Sequence, residues 1–461
     1  MVTGLSTMRI KQISVNGLFG IFNHVIPLNI NERVTILHGP NGFGKTAILR
    51  ILNNFFNSRS SELQTIPFGN FRVEFDDCSS IEIKKGFKHS KGAEIIDITF
   101  NFYSSNSEKL SFSPGPMKIL SELGFPISIL DDVIPGLERI DTRKWVYLPT
   151  DETLSLEEVF ERFGDSLPLK LRPSYSNKEP EWLKTLKDGI HIRLIESQRL
   201  LNFVPNRSSR SYRGTSSMLS TVSAHSDELA ELMQDKFKEY GTTSQSLDRT
   251  FPVRVVKQQP SVDVTNEQLR QQLNKLEVTR SRLIEVGLLD KDEDSEFQIQ
   301  PQDIDESTKI ALSVYVEDVE KKLNVFTEIA KKIDLLKRII NIKFAYSYKE
   351  VSFSKEKGFI FTTLYKSLSS DSKKLLPTDL SSGEQHELVL LYELLFKVEP
   401  NSLVLIDEPE LSLHVGWQIQ FLKDLQEITQ LADLDVLMAT HSPDIIQDRW
   451  DLTVELKGPE N

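Results

Sequence analysis

The sequence predicts an α/β fold: a mixed sheet with helices, an antiparallel β subdomain, and a helical arm inserted between two halves of one unit. Three observations carry that expectation. Near the amino end a buried strand, Val34-Thr35-Ile36-Leu37, runs into a glycine-rich loop and then a helix. Near the carboxyl end a second buried strand, Leu403-Val404-Leu405-Ile406, delivers Asp407 and Glu408 to its tip. Between them, apolar residues recur at alternating four- and three-residue steps over a long stretch, the pattern of packed helices.

Taken in order, Arg9 to Val15 and His24 to Ile30 read as two strands joined by the turn signal Asn16-Gly17-Leu18-Phe19-Gly20. The strand, the loop Gly39-Pro40-Asn41-Gly42-Phe43-Gly44-Lys45-Thr46 and the helical run from Ala47 follow. From Phe71 to Phe102 apolar and polar residues alternate, which predicts an antiparallel meander over the loop-bearing layer. These residues, 1–108, form the expected amino-terminal lobe. Residues 109–189 carry several prolines and mixed patterning, and are expected to be a mostly helical insertion. Residues 190–260 hold a strand ending near Gln198, then a linker rich in arginine, with a turn at 244–252.

Residues 261–341 read as two helices. Leu312, Val316, Val319, Leu323, Phe326, Ala330, Ile333 and Ile340 make a coiled-coil seam that only Lys337 interrupts. Two helices of roughly 25–35 residues make a hairpin of about 40–50 Å at 1.5 Å per residue. Residues 342–461 form the carboxyl-terminal lobe, with strands expected at 342–348, 350–354, 358–365, 436–440 and 452–456.

Strand, GxxxxGK[ST] and helix together predict a P-loop. Glycines let the backbone wrap closely around phosphates, and the loop amides with the helix amino end face the anion. Lys45 supplies a point charge for the outer phosphates, and Thr46 a hydroxyl for Mg²⁺. Asp407 is the expected second holder of Mg²⁺, and Glu408 the base that deprotonates the attacking water. Gln198, at a core strand's end, can reach the metal and the water. His441, at another strand tip, can contact the terminal phosphate.

In Leu380-Ser381-Ser382-Gly383-Glu384-Gln385 a serine can cap a helix that begins near Gly383, leaving a positive end for a phosphate. A chain that already has a P-loop needs such an end only if it serves a partner subunit's nucleotide. That assigns Ser381, Ser382, Gly383 and Glu384 to a second copy's ATP.

These motifs, in this order, resemble the ATP-binding-cassette ATPases, particularly their soluble branch with DNA-repair and phage-defence members. The resemblance implies an ABC-type P-loop ATPase head that uses ATP and Mg²⁺ and closes as a homodimer. More closely, NGLFGIF, ESQRL, SQSLDRTFP, LSSGEQHELVLLYELLF and IDEPELSLH resemble the ATPase subunits of the Septu anti-phage systems, the PtuA family. That likeness implies an HNH endonuclease partner, larger assemblies, and nucleotide control of the nuclease, with DNA met through the complex. Only 20 residues follow His441, so any nuclease activity is expected from another polypeptide.

Composition narrows the alternatives. Hydrophobic and charged fractions of 39% and 26% are those of a globular protein. A net charge of −12 argues against a general nucleic-acid coat but leaves room for a local basic groove. Arg199, Arg207, Arg210 and Arg213 lie in a stretch without acids, which is either a solvated loop or a nucleic-acid or partner contact. Cys78 is the single cysteine, so internal disulfides and cysteine zinc sites are excluded, and no apolar run approaches the ~20 residues of a membrane span. A cytoplasmic ATPase is expected. A DNA-repair clamp and a slow nucleotide-sensing scaffold are the competing readings, and membrane transport is disfavoured.

Overall fold

The computed structural model describes residues 8–90, 93–106, 108–114, 117–118, 129–134, 136–141, 144–147, 152–163, 167, 174–175, 177–196, 201–202, 219–257, 265–291, 305–365 and 374–458. The chain divides into two compact units, Met1–Leu219 with Lys397–Asn461, and Ser220–Phe396. The fold is the mixed α/β head that the sequence predicts, with an inserted helical region.

The first unit holds two sheets around a shared core. Its five-stranded parallel sheet runs Ile192–Ile195, Leu403–Asp407, Asp435–Ala439, Val34–His38, Thr453–Glu455. Leu403–Asp407 is buried throughout, as a strand covered on both faces requires. The antiparallel sheet runs Phe22–Pro27, Ile10–Leu18, Asn70–Phe75, Ser80–Ser90, Ala93–Tyr103, Lys109–Phe112. Alternation sets its register: Phe71 pairs with Ile83 and Val73 with Ile81, all four buried.

The helix Lys45–Phe56 shares one core with both sheets. Ile48, Leu49, Ile51, Leu52, Phe55 and Phe56 are buried among Phe71, Val73 and Phe100 of one sheet and Leu405 and Leu437 of the other. The helix is buried almost all round, polar Asn53 and Asn54 included, because it is covered by both sheets. Asn57 Nδ2 donates to Ile192 O at 3.0 Å and ties the helix end to the edge strand. At the same end of the parallel sheet, Arg9 and Arg33 both bond Asp435, at the start of the strand Asp435–Ala439.

The insertion corrects an expectation. Its described residues divide evenly between strand and helix instead of being mostly helical. Leu137–Asp141, Lys144–Tyr147 and Glu152–Ser155 make an antiparallel sheet, with short helices Ile129–Val133, Leu156–Phe163 and Glu181–Asp188. Leu130, Leu137, Trp145, Val159 and Leu167 make a small core of their own, with the Trp145 indole donating to Asp131. Strands of four or five residues are too short for their alternation to register in sequence.

The second unit contains the helices Thr221–Lys257, Asn266–Glu285, Glu306–Asn324, Thr327–Phe344 and Ser382–Tyr392, and the antiparallel strands Lys349–Ser354, Gly358–Thr363 and Lys374–Leu375. Three expectations change here. The predicted turn at 244–252 lies inside the 37-residue helix Thr221–Lys257. Pro252 removes one helical N–H, but Arg254 Nη2 donates to Leu247 O at 2.8 Å and Thr250 Oγ1 to Ser246 O at 3.1 Å. Arg254 also pairs with Asp318, and Lys322 with Asp248 at 2.7 Å, which holds this stretch against Glu306–Asn324.

The second predicted helix is two helices, breaking at Val325 and Phe326. The apolar seam runs through the break because Phe326 is fully buried against Tyr240, ring centroids 5.3 Å apart. Lys337, the interruption in the seam, donates to Glu285 O at 3.1 Å, at the end of the helix Asn266–Glu285. Finally, 342–348 completes a helix and a 3₁₀ turn instead of a strand. Ile339, Ile340, Lys343 and Phe344 are all buried, a helical spacing.

Candidate nucleotide site

Three neighbouring parallel strands, Leu403–Asp407, Asp435–Ala439 and Val34–His38, end on the same side of the first unit. Loops at the carboxyl ends of parallel strands are where such sheets carry their sites. Here they gather Gly39 to Thr46, Asp407 with Glu408, and His441.

The loop's conformation explains its glycines. Gly42 and Gly44 have φ of +84° and +94°, a region costly to other residues. A Cβ on Gly44 would stand 2.2 Å from Leu18 Cδ2. Gly39 and Pro40 place their carbonyls on Lys45, whose Nζ donates to them at 2.8 and 3.2 Å and faces His441 Nδ1 at 3.5 Å. Phe43 turns its ring onto Phe22 at 5.1 Å, and its carbonyl accepts from His24 Nε2 at 3.0 Å. Burial holds His24 below the usual imidazole value, against the pull of that carbonyl. The ring is therefore neutral at pH 7, with its proton on Nε2.

Thr46 Oγ1 donates to Asp407 Oδ1 at 3.0 Å, across 361 positions of sequence. Burial raises the Asp407 carboxyl and the nearby Glu408 charge adds to this, while the Thr46 bond and Arg50 oppose it. Lys45 is lowered by burial, against the attraction of Glu408, Asp407 and Glu410. For both groups burial outweighs the opposing charges and favours the neutral form.

Glu408 adopts the left-handed conformation, φ 44° and ψ 59°, which is costly for a residue other than glycine. Its N–H donates to Ala439 O at 2.9 Å, which extends the ladder between the two strands by one bond. His441 Nε2 stands 3.8 Å from Glu408 Oε1, beyond direct hydrogen-bond range but close enough for one to orient the other. With Nδ1 facing the Lys45 ammonium, the imidazole presents its Nε2–H towards Glu408.

Four contributors were not legible in sequence. Glu410 accepts from the His441 backbone N–H, and Gln418 bridges Leu413 O and Ser442 Oγ. Arg50 pairs with Glu196 at 3.3 Å, bringing the end of Ile192–Ile195 to the P-loop helix. His24 bonds the P-loop itself. No local pattern marks any of these, since each partner is distant in sequence. Gln198 and the arginines 199, 207, 210 and 213 lie outside the described residues.

In the second unit, the helix Ser382–Tyr392 starts one residue before the expected position, with Ser381 as its N-cap. Ser381 Oγ accepts from Glu384 N at 3.3 Å, and Ser381 N donates to Glu384 Oε2 at 2.7 Å, a complete capping box. Ser382 and Gly383 occupy the first turn. Glu384 is turned inward: Lys349 Nζ donates to it at 2.8 Å, as does Ser347 Oγ. Burial alone would raise Glu384, but these donors hold it below the usual carboxylate range. Lys343 and Glu387 form a buried ion pair beneath the same helix.

The residues of the first unit fit a nucleotide and Mg²⁺. The loop has the positive-φ glycines of a phosphate cradle, a buried lysine at its end, and a threonine hydroxyl already bonded to a strand-tip aspartate.

A family model described as AAA ATPase domain matches residues 8–446. Among solved structures, the Smc head domain with an extended coiled coil, bound to the C-terminal domain of ScpA and derived from Pyrococcus furiosus, is 12% identical. The match covers 98% of this chain and 94% of that chain, with a TM-score of 0.33. The SMC head domain from Thermotoga maritima is also 12% identical, over 95% and 91% of the two chains, with a TM-score of 0.31. An SmcHead bound to the C-winged helix domain of ScpA is 10% identical, over 95% and 91%, with a TM-score of 0.31. No curated protein matches the chain.

Proposed function

The chain belongs to the AAA ATPase domain family, and from that premise we propose that it hydrolyses ATP at the site formed by Gly39 to Thr46, Asp407, Glu408 and His441. The Thr46–Asp407 bond carries this reading, because it joins the phosphate loop to the strand-tip acids in one place. Thr46 and Asp407 would hold Mg²⁺, which when bound offsets the phosphate charge. Gly39 to Lys45 bind the phosphates through loop amides and the ammonium. Glu408 takes the proton of the attacking water, and His441 orients the Glu408 carboxylate and the terminal phosphate. Gln198 is proposed as a further contact to metal and water.

Ser381, Ser382 and Gly383 present the capped helix amino end to the nucleotide of a second copy. Glu384 supports that end from within, through the capping box. Two copies thus close around ATP. The finer reading is an ATPase subunit of a Septu-like anti-phage complex, whose nucleotide state controls a partner HNH endonuclease that acts on DNA. The sequence motifs shared with the PtuA family support it.

Glu408→Gln tests the first step. It is expected to lower turnover by about 10²–10⁴-fold, the range for loss of a general base, while ATP still binds. The trapped ATP should shift the chain to a dimer in mass measurements. Unchanged turnover would remove Glu408 from the role of base.

A further inference from the structure

The segment after Glu408 does more than leave the sheet. The left-handed backbone at Glu408 turns the chain back over the neighbouring strand end, into the 3₁₀ turn Pro409–Ser412. Between Leu403–Asp407 and Asp435–Ala439 the last backbone link is Glu408 N to Ala439 O. The next link is made by a side chain: Glu410 Oε1 accepts from the His441 N–H at 2.6 Å.

Eight residues further along, Gln418 repeats the device. Its Nε2 donates to Leu413 O at 3.1 Å, and its Oε1 accepts from Ser442 Oγ at 2.6 Å. Ser442 in turn caps Pro443–Ile446, bonding Ile445 N at 3.3 Å. The acid-bearing turn and the histidine loop are thereby cross-linked twice. The second oxygen of Glu410 is buried without a hydrogen-bond partner among the described residues. A carboxylate left half-satisfied in a buried place calls for an explanation. The hydrogen bond its carboxylate does make is from the His441 backbone N–H.

We propose that Glu410 is a positioning residue for hydrolysis: by holding the His441 backbone N–H, its carboxylate fixes the imidazole between Lys45 and Glu408. The inference rests on the ATPase reading above and names a residue that acts through the backbone of His441. Its charge also attracts Lys45, and in this proposal the hydrogen bond, not that attraction, sets the rate.

That last point makes the test sharp. Glu410→Gln keeps an oxygen able to accept from His441 N–H but removes the charge. Glu410→Asp keeps the charge and is one methylene too short to reach. Steady-state ATP turnover of the full chain is measured for both, with Glu410→Ala, His441→Ala and the double variant Glu410→Ala/His441→Ala.

Glu410→Asp and Glu410→Ala are expected to lose roughly 10–100-fold in kcat, in the range of a misplaced catalytic group, with the KM for ATP within about twofold of wild type. Glu410→Gln should retain about a third of the wild-type kcat or more, and the double variant should be no slower than His441→Ala. Loss in Glu410→Gln with recovery in Glu410→Asp overturns the proposal, as does a double variant whose loss is the product of the single losses. If wild type turns over ATP, Glu408→Gln abolishes it and Glu410→Ala matches wild type, only the role of Glu410 falls. If wild type has no turnover, the ATPase reading falls and takes the proposal with it. Because Glu410→Gln and Glu410→Asp differ little in bulk, a general folding defect would lower both and would also overturn it.

Discussion

Lys85 shows how a single side chain can hold a segment in place at a cost that pH reveals. Its ammonium donates to the carbonyls of Leu63, Gln64 and Ile66 at 2.6, 3.1 and 2.6 Å, at the end of the short helix Ser60–Thr65. No acid is among these partners, and burial lowers its pKa to about 8. Below pH 8 the lysine is protonated both folded and unfolded, and the burial cost is present in full. Between about pH 8 and the unperturbed 10.5 the unfolded chain holds a proton that the folded chain has released, so unfolding free energy rises with pH. Relative to Lys85→Met, wild type is expected to gain at most about 3 kcal/mol across that window. Urea melts of both variants at two pH values, one on each side of the window, check this. A pH-independent difference would place Lys85 in a more solvated site. At this scale the sequence was legible where chemistry is local. Lys45, Thr46, Asp407 and Glu408 declare themselves by motif, and the Thr46–Asp407 bond joins them as the motif requires. His24 and Glu410 do not, because the groups they hold, Phe43 O and His441 N–H, are backbone atoms that any residue would supply.

Elements built on strong periodicity were legible, and those decided by tertiary partners were not. The parallel strands at 34, 403 and 435 read as apolar runs and pair as neighbours. The antiparallel sheet read as alternation. The turn expected at 244–252 failed because serines, an aspartate and a proline outvoted the helix locally. The Arg254–Asp318 and Asp248–Lys322 pairs then restored it. That account predicts a residual penalty at Pro252, which sits exposed within the helix Thr221–Lys257. Pro252→Ala returns an N–H to the ladder and is expected to stabilise the chain by about 1–3 kcal/mol, up to the full interior cost of proline. A rise in melting temperature, with more helical circular dichroism, checks it. A fall would show that the packing against Glu306–Asn324 needs the bend that proline introduces. The same logic covers 342–348, where Ile339, Ile340, Lys343 and Phe344 keep a helical spacing to the end. Aromatic and β-branched content there mimics a strand.

For the molecule as a whole, the two motifs that bracket the chain fall in different compact units, with the P-loop in one and the capped helix Ser382–Tyr392 in the other. The proposed function assigns that helix to a second copy's nucleotide, and the assignment can be tested without a dimer structure. Among the described residues no helix is long and apolar enough to cross a membrane. Lys45→Ala disables the phosphate loop, and Gly383→Asp places a charge and a side chain in the first turn of the helix. Each variant alone is expected to be inactive. If the helix works on the partner's nucleotide, a mixed dimer contains one intact site, with the loop from one variant and the helix from the other. Random pairing makes half the dimers mixed, each with one working site of two, so an equal mixture should recover about a quarter of the wild-type turnover. If the helix serves its own chain, every loop in the mixture is paired with a defect and nothing is recovered. The same mixture gives a handle on the proposed partner nuclease. A partner endonuclease that responds to closure of both sites should stay unswitched by the half-restored dimers. One that responds to a single occupied site should switch in proportion to the recovered turnover, and DNA cleavage measured beside ATP turnover separates the two.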